Sequence, residues 1–264
     1  MGRTDKLIIR HTALEMLMTC PFSFEARFIR NIILPPSGAA YFGTCYHHAL
    51  GQNFKQKERT KKDLLLPDLF EAFHEAWEKK LGSEDPVDEV IWLDETPEFL
   101  KDVGFKLLER YITDVAPGVQ PQKDGVEKLI TRELKSKYIG EFQARLDLIE
   151  DKTEKIIDQK TVRRQKAEVE AKRDLQPYSY MFARGKAGTF EWHQAHKTKE
   201  KIIILGIERT PQDIDWFERE FLPPIIKQIE KGIFPITPNY RCLSGWCGYI
   251  SLCRLPENTR VYYI

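Results

Sequence analysis

The chain has almost no net charge: 41 Lys and Arg stand against 40 Asp and Glu in 264 residues, a formal +1 at pH 7. No global field can therefore draw in a polyanion, and such a partner has to be held by a local patch or a bound metal. Long apolar runs are missing too; the best, such as Ile202 to Ile207, are of strand length, which excludes a membrane-spanning helix and predicts no membrane partner. Met1 to Arg10 contains no apolar stretch of signal-peptide length and no small-residue cleavage site, so a cytoplasmic location is expected. Cysteine is scarce and odd in number: Cys20, Cys45, Cys242, Cys247 and Cys253. In a reducing compartment that argues against a disulfide framework and for metal ligation or burial. Internal repeats, low-complexity segments and a G-x-x-x-x-G-K-[ST] phosphate loop are all absent, so any helicase motor would be a separate partner.

What is present is a composition able to build a core, with 42% hydrophobic and 31% charged residues. A chain of this length buries roughly three quarters of its unfolded surface. Thr12, Ala13, Leu14, Leu17 and Met18 fall on a helical period that ends at Cys20-Pro21. A second helix is expected over Phe22 to Ile29, a loop at Pro35 to Gly38, and a third helix from Gly43 to Lys55. From Leu64 to Tyr111, three-and-four spacing of Leu69, Phe70, Phe73, Trp77, Phe99, Val103 and Leu107 predicts a helical lobe broken near Gly82 to Pro86. Strands are expected over Lys128 to Tyr138, Phe142 to Ile149, Lys155 to Thr161 and Lys201 to Glu208, with helices over Glu168 to Arg184 and Pro211 to Lys231. His193, His196, Lys197 and Lys199 read as a polar connection without a catalytic role. This order predicts a mixed α/β fold.

The most informative stretch is Arg145-Leu-Asp-Leu-Ile149, a polar turn, and Ile156-Ile-Asp-Gln-Lys-Thr161. An acid in the middle of an apolar strand is costly unless it is paired or binds a metal, and here two such strands are consecutive. A loop centred between Lys152 and Thr153 sets Asp147 opposite Asp158, and Lys160 leaves the same face two residues on. Two carboxylates and a lysine can hold Mg²⁺ or Mn²⁺ through oxygen, which would polarise a phosphodiester and acidify a water while the lysine steadies the attacking water or the developing charge. The alternative is an ordinary hairpin with a cross-strand Asp/Lys pair. Gln176 and Tyr180 are one helical turn apart and could orient a scissile phosphate or Lys160; His47, near a helix start, could offer imidazole to the same ion. Taken singly, a Gln and a Tyr are more often surface and core residues, and a lone His is more often structural.

The ordered set Gly43-Thr-Cys-Tyr-His47, Asp147, Asp158-Gln-Lys160 and Gln176-Pro-Tyr-Ser-Tyr180 resembles the PD-(D/E)XK nuclease superfamily, in particular its RecB-like branch, from Cys20 to Cys253. The resemblance implies a restriction-endonuclease-like mixed central sheet flanked by helices. It implies metal binding at His47, Asp147, Asp158 and the carbonyl of Gln159, with Lys160, Gln176 and Tyr180 completing the catalytic site. Ala144 stands where many relatives have glycine before the first acid, which removes no ligand.

Cys242, Cys247 and Cys253 lie within a dozen residues, and three close thiols call for a fourth. By the same resemblance, to branches carrying iron-sulfur clusters, Cys20 joins them around a [4Fe-4S] cluster; tetrahedral Zn²⁺ on four sulfurs is the alternative. The spacing departs from the commoner C-x-x-C-x₅-C, with Ser244 where the first thiol of that triplet would fall. Cys45 is left over as a buried residue near His47. The expected organisation is one nuclease domain over 1–264, with a helical lobe at about 50–125, a catalytic core at about 126–210 and a cluster-binding tail at about 236–257 joined to Cys20.

Lys160, Arg163, Arg164, Lys166, Lys172 and Arg173 could hold phosphates without reading sequence, or form a solvated face with the interleaved acids. Trp192, Trp246 and Tyr249 could stack on unpaired bases or lie in the core. The function expected is a metal-dependent DNA exonuclease acting on single strands or duplex ends, in repair, recombination or phage DNA processing, with a helicase or recombination protein as a possible separate partner. The rival is a catalytically silent nucleic-acid-binding module stapled by zinc or a cluster.

Overall fold

A sheet of mixed direction divides the chain's apolar residues into two cores. The computed structural model describes residues 6–81, 89–92, 95–243, 246–254 and 256. The expected helix break at Gly82 to Pro86, and Ser244 and Gly245 of the tail, lie outside them. The strands are β1 (Leu7–Arg10), β2 (Pro121–Glu133), β3 (Ile139–Glu150), β4 (Ile156–Val162), β5 (Gly188–His196) and β6 (Lys201–Arg209). Their order is β1-β3-β4-β5-β6, with β2 on the opposite edge of β3. β1 runs parallel to β3, β4 antiparallel to β3, β5 parallel to β4 and β6 antiparallel to β5. This is the mixed α/β class predicted from the element order.

The first core gathers Ile9, Leu14 and Leu17 with Phe142, Leu146, Phe190 and Trp192 from the sheet. It is covered by α1 (His11–Thr19), α2 (Pro21–Phe24), α6 (Glu168–Arg173), α7 (Leu175–Arg184), α8 (Pro211–Trp216) and α9 (Leu222–Glu230). A five-residue π-helical segment, Phe217–Phe221, joins α8 to α9, so the single helix expected over 211–231 is one path with a widened turn. The second core lies under α3 (Gly38–Thr60), α4 (Leu66–Leu81) and α5 (Pro97–Asp114) and takes Leu148, Ile157 and Ala195 from the sheet. Helix α3 begins five residues earlier than expected because Ser37 caps it, its Oγ accepting from the Ala40 amide at 3.3 Å. Its buried stripe, Tyr41, Cys45, Tyr46, Ala49, Leu50, Asn53 and Phe54, keeps His47 at the rim. Cys45 is buried in this second core, as expected.

Two strands were not anticipated. β1 is too short to show a period. β5 was read as a polar connection, and this is corrected: it is an interior strand paired with β6 along its whole length and with β4 from Phe190 to His196. His193, Gln194 and His196 are buried in it, and Lys197 just beyond it is buried as well. Each polar side chain has a local partner, so the strand tolerates burial without the apolar run that usually marks a parallel interior strand.

β3 is the strand on which the site depends. Along one edge it pairs with β1 up to Arg10↔Gln143 and with β4 only at Leu148↔Ile157 and Ile149↔Ile156. The register is the one the turn predicts, but β3 and β4 part just before Asp147 and Asp158 would face each other. Side-chain alternation also changes phase there. Phe142, Ala144 and Leu146 point into the first core, Leu148 into the second and Ile149 into the first again. Opposite this point, Glu127 of β2 has a left-handed φ of 48°. The sheet therefore forks at Asp147.

Candidate active site

Four elements deliver side chains to the fork. His47 comes from α3, Asp147 from β3, Asp158, Gln159 and Lys160 from β4, and Gln176 and Tyr180 from α7. Helix α7 is fixed at both ends: Asp174 accepts from the Gln176 amide at 2.8 Å, and Gly185 closes it at φ 70°, a conformation that favours glycine. Its Gln176 and Tyr180 face the sheet one turn apart, with Gln176 Nε2 donating to Tyr180 Oη at 3.1 Å.

The two carboxylates have different surroundings. Asp147 Oδ2 accepts from the Gln159 backbone amide at 2.8 Å and lies 3.2 Å from His47 Nδ1. Asp158 is 1% exposed, and its Oδ1 accepts from Gln176 Nε2 at 2.6 Å and from Lys160 Nζ at 3.1 Å. Its Oδ2 is 2.9 Å from Lys160 Nζ but makes no hydrogen bond of good geometry.

Burial pushes both carboxyls up, yet they part. The charge and hydrogen bond of His47, with Lys160 and the Gln159 amide, hold Asp147 below the usual range. For Asp158, burial reinforced by the Asp147 charge outweighs Lys160 and leaves it raised. Burial pulls Lys160 and His47 down, but the neighbouring acids override it and raise both, so Lys160 stays an ammonium at neutral pH. Two carboxyls whose environments push them apart mark the fork as a candidate site.

Among the described residues, no three His, Cys, Asp or Glu side chains stand in a finished ligand arrangement. The donors at the fork are turned to protein partners instead, Asp147 to the Gln159 amide and Asp158 to Lys160 and Gln176.

Several supporting residues escaped the sequence reading. Trp192, weighed between base stacking and the core, lies in the core: it is 1% exposed, and its Nε1 donates to Gln176 Oε1 at 3.2 Å. Because indole is only a donor, that bond fixes the Gln176 amide with its NH₂ toward Asp158 and Tyr180. Tyr249, the second candidate, is also buried and donates to the Ile32 carbonyl at 3.0 Å; Trp246 is 56% exposed. Behind β4, the Gln159 side chain bonds Tyr111, whose Oη is 2.8 Å from His193 Nδ1, while His193 Nε2 is 3.2 Å from Glu191 Oε2. The signal available was the in-register pairing of Gln159 with His193, visible only once β5 is known to be a strand. Tyr111→Phe is expected to strand the His193 nitrogen and lower stability by about 1–3 kcal/mol, read from the denaturant midpoint at unchanged m-value.

The candidate basic residues are largely engaged. Arg164 pairs with Glu170 at 2.7 Å, Lys166 with Asp174, and Arg163 approaches Glu95 at 3.7 Å. Lys172 and Arg173 on α6 are exposed. Far from the fork, Cys20, Cys242 and Cys253 are buried in a small third apolar cluster with Phe22, Ala26, Tyr249 and Ile250, and Cys247 packs against it. Burial raises the Cys247 thiol, and the other three add to the effect. No helix among the described residues is long and apolar enough to cross a membrane.

A forked mixed sheet that presents two unlike carboxyls and a lysine is the framework of a nuclease. The family model of the PD-(D/E)XK nuclease superfamily matches residues 10–254, and the chain belongs to that superfamily; its substrate is accordingly a nucleic acid. Among solved structures, a protein from Eubacterium rectale described provisionally as an exonuclease shares the fold, with a TM-score of 0.54 at 12% identity over 95% of this chain and 89% of that one. A protein called SSO0001 aligns with a TM-score of 0.43 at 12% identity, over 96% of this chain and 89% of its own. No curated protein matches the chain.

Proposed function

We propose that the chain is a divalent-metal-dependent deoxyribonuclease of the RecB-like branch, working as an exonuclease on single strands or duplex ends in repair, recombination or phage DNA processing. The observation that carries this reading is the convergence of Asp147, Asp158 and Lys160 with His47, Gln176 and Tyr180 at the fork of the sheet. The exonuclease description of the Eubacterium rectale protein agrees with it.

His47, Asp147, Asp158 and the Gln159 carbonyl would hold Mg²⁺ or Mn²⁺. The donor set suits such an ion: His47 Nδ1 and Asp147 Oδ2 are 3.2 Å apart, near the roughly 3 Å between adjacent ligands of an octahedral ion with bonds of about 2.1 Å. Asp158 Oδ2 is a buried oxygen that still accepts no hydrogen bond. When bound, the ion supplies Lewis-acid polarisation of the phosphodiester and a more acidic water. Lys160, kept protonated by its two acids, steadies negative charge as it grows on the phosphate and does not act as the base. Gln176, fixed by Trp192, holds Asp158 in one orientation, and Tyr180 Oη accepts from the same Gln176 Nε2.

Cys20, Cys242, Cys247 and Cys253 are read as the ligands of a [4Fe-4S] cluster, with structural Zn²⁺ as the other occupant. Their gathering in one apolar cluster, more than two hundred residues apart in sequence, supports this. The test is cleavage of labelled single- and double-stranded DNA with Mg²⁺, Mn²⁺ or EDTA. Cleavage restricted to the metal lanes is expected; a folded protein that binds both DNAs and cuts neither would move the assignment to the silent binding module.

A further inference from the structure

On the α1 side of the fork lies a cavity of about 500 Å³ whose wall includes Lys160, Gln176 and Tyr180 of the proposed active site. Apart from Trp192, which fixes Gln176, the rest of the wall has no part in the proposed reaction. It includes His11 at the start of α1, Trp192 and Gln194 on β5, and Arg164 and Lys166 on the segment after β4. Gln194 is level with Lys160 in the β4–β5 ladder.

The charge in this wall is already balanced. Lys160 pairs with Asp158, Arg164 with Glu170 and Lys166 with Asp174, and Glu15 adds a further carboxylate. A phosphate entering here would meet more acids than bases. What the wall leaves unsatisfied is neutral. Gln194 is 2% exposed; its Oε1 accepts from the Lys166 amide at 2.7 Å, while its Nε2 donor has no partner. His11 Nε2 also has no hydrogen bond, being 3.6 Å from Glu15 and 4.0 Å from Asp174. Burial, with Lys160 and Lys166 nearby, lowers the His11 imidazole to about 3, so it is neutral under working conditions. Buried polar groups in native proteins are almost always satisfied, and two unpaired nitrogens in the wall of one cavity point to a ligand that satisfies them.

We propose that this cavity receives the nucleobase of the nucleotide next to the scissile phosphate, with Gln194 Nε2 and His11 Nε2 hydrogen-bonding its edge. The inference rests on the nuclease reading above and deepens it by assigning a subsite. A base is planar, uncharged and rich in edge acceptors and donors, which matches a wall of carboxamide, neutral imidazole and threonine better than a phosphate does. The cavity has room for one nucleoside, and its continuity with Lys160 and Gln176 places that nucleoside beside the reacting bond. Anchoring one base would hold the strand in register for cleavage.

The experiment is an abasic scan. Single-stranded oligodeoxynucleotides carrying one abasic residue, stepped along the sequence, are cut by the wild-type protein with Mn²⁺, and the rate is read at each bond. Cleavage at one fixed offset from the abasic residue is expected to fall about tenfold, the scale set by losing a base's contacts in a protein site. In Gln194→Met, an apolar replacement of similar length, the same offset is expected to cost less than about threefold because the discriminating donor is gone. Equal rates at every bond overturn the inference and leave the nuclease reading in place. Tolerance of abasic residues together with a tenfold response to a terminal phosphate would show that the cavity takes phosphate, which also overturns it. If no DNA is cut under any condition, both readings fall together.

Discussion

Asp158→Asn is expected to lower cleavage at least about a thousandfold, equivalent to roughly 4 kcal/mol of transition-state stabilisation, while the thermal midpoint stays where it is or rises. The two halves of this result have one cause. Asp158 is buried with its carboxyl raised, and one of its oxygens accepts no hydrogen bond, so as an anion it is a poor contributor to stability. Asparagine keeps an acceptor for Gln176 Nε2 and gives up the charge that the proposed divalent ion would need. Lys160→Met is expected to remove activity to a similar degree but to reduce stability, because it leaves the buried carboxylate with Gln176 as its remaining side-chain donor. The Lys160 side chain is 41% exposed, so solvent screening limits that loss to about 1 kcal/mol. Paired measurements of cleavage rate and thermal midpoint on the two variants check the claim; equal destabilisation by both would mean that the pair is structural.

The second large effect concerns the thiols. Cys20→Ser and Cys242→Ser are each expected to abolish iron and sulfide content and to loosen the packing of the α2 region against α10 (Tyr240–Leu243), seen as rapid proteolysis in the tail. A cluster needs all its ligands, so the double variant should be no worse than either single one, a non-additivity that independent buried cysteines would not show. Cys45→Ser is the control. It changes an equally buried cysteine in the second core and should retain full metal content. A protein of unchanged metal content in Cys20→Ser would remove Cys20 from the ligand set.

Much of the site could be read from the sequence because its chemistry interrupts apolar strands. An acid at Asp147 and at Asp158 violates the burial pattern around it, and the short turn between their strands sets the register, which Leu148↔Ile157 reproduces. Helical spacing put Gln176 and Tyr180 on one face, and the resemblance to the superfamily gave them their place in the site. What could not be read was the departure from regularity. A period of two predicts that Asp147 shares a face with Asp158 and Lys160, whereas β3 changes phase and the carboxylate reaches across the fork to the Gln159 amide. β5 was missed for the converse reason. Its His193 and Gln194 look like loop residues until their partners on α5 and beyond β4 are seen. Trp192 was open between base stacking and the core; it lies in the core, where its indole N–H orients the Gln176 amide.

The pairing of the residue 20–34 region with residues 236–253 also constrains how the protein is made. Asn239 Nδ2 donates to the Thr19 carbonyl across a separation of 220 residues, and Tyr249 Oη to the Ile32 carbonyl across 217. At synthesis rates of about 5–20 residues per second, Cys20 leaves the ribosome on the order of ten to forty seconds before the three cysteines of its apolar cluster exist. During that interval the sheet and both large cores can form, but the third apolar cluster cannot. The contacts of the third cluster therefore form late, after the strands of the sheet have been made.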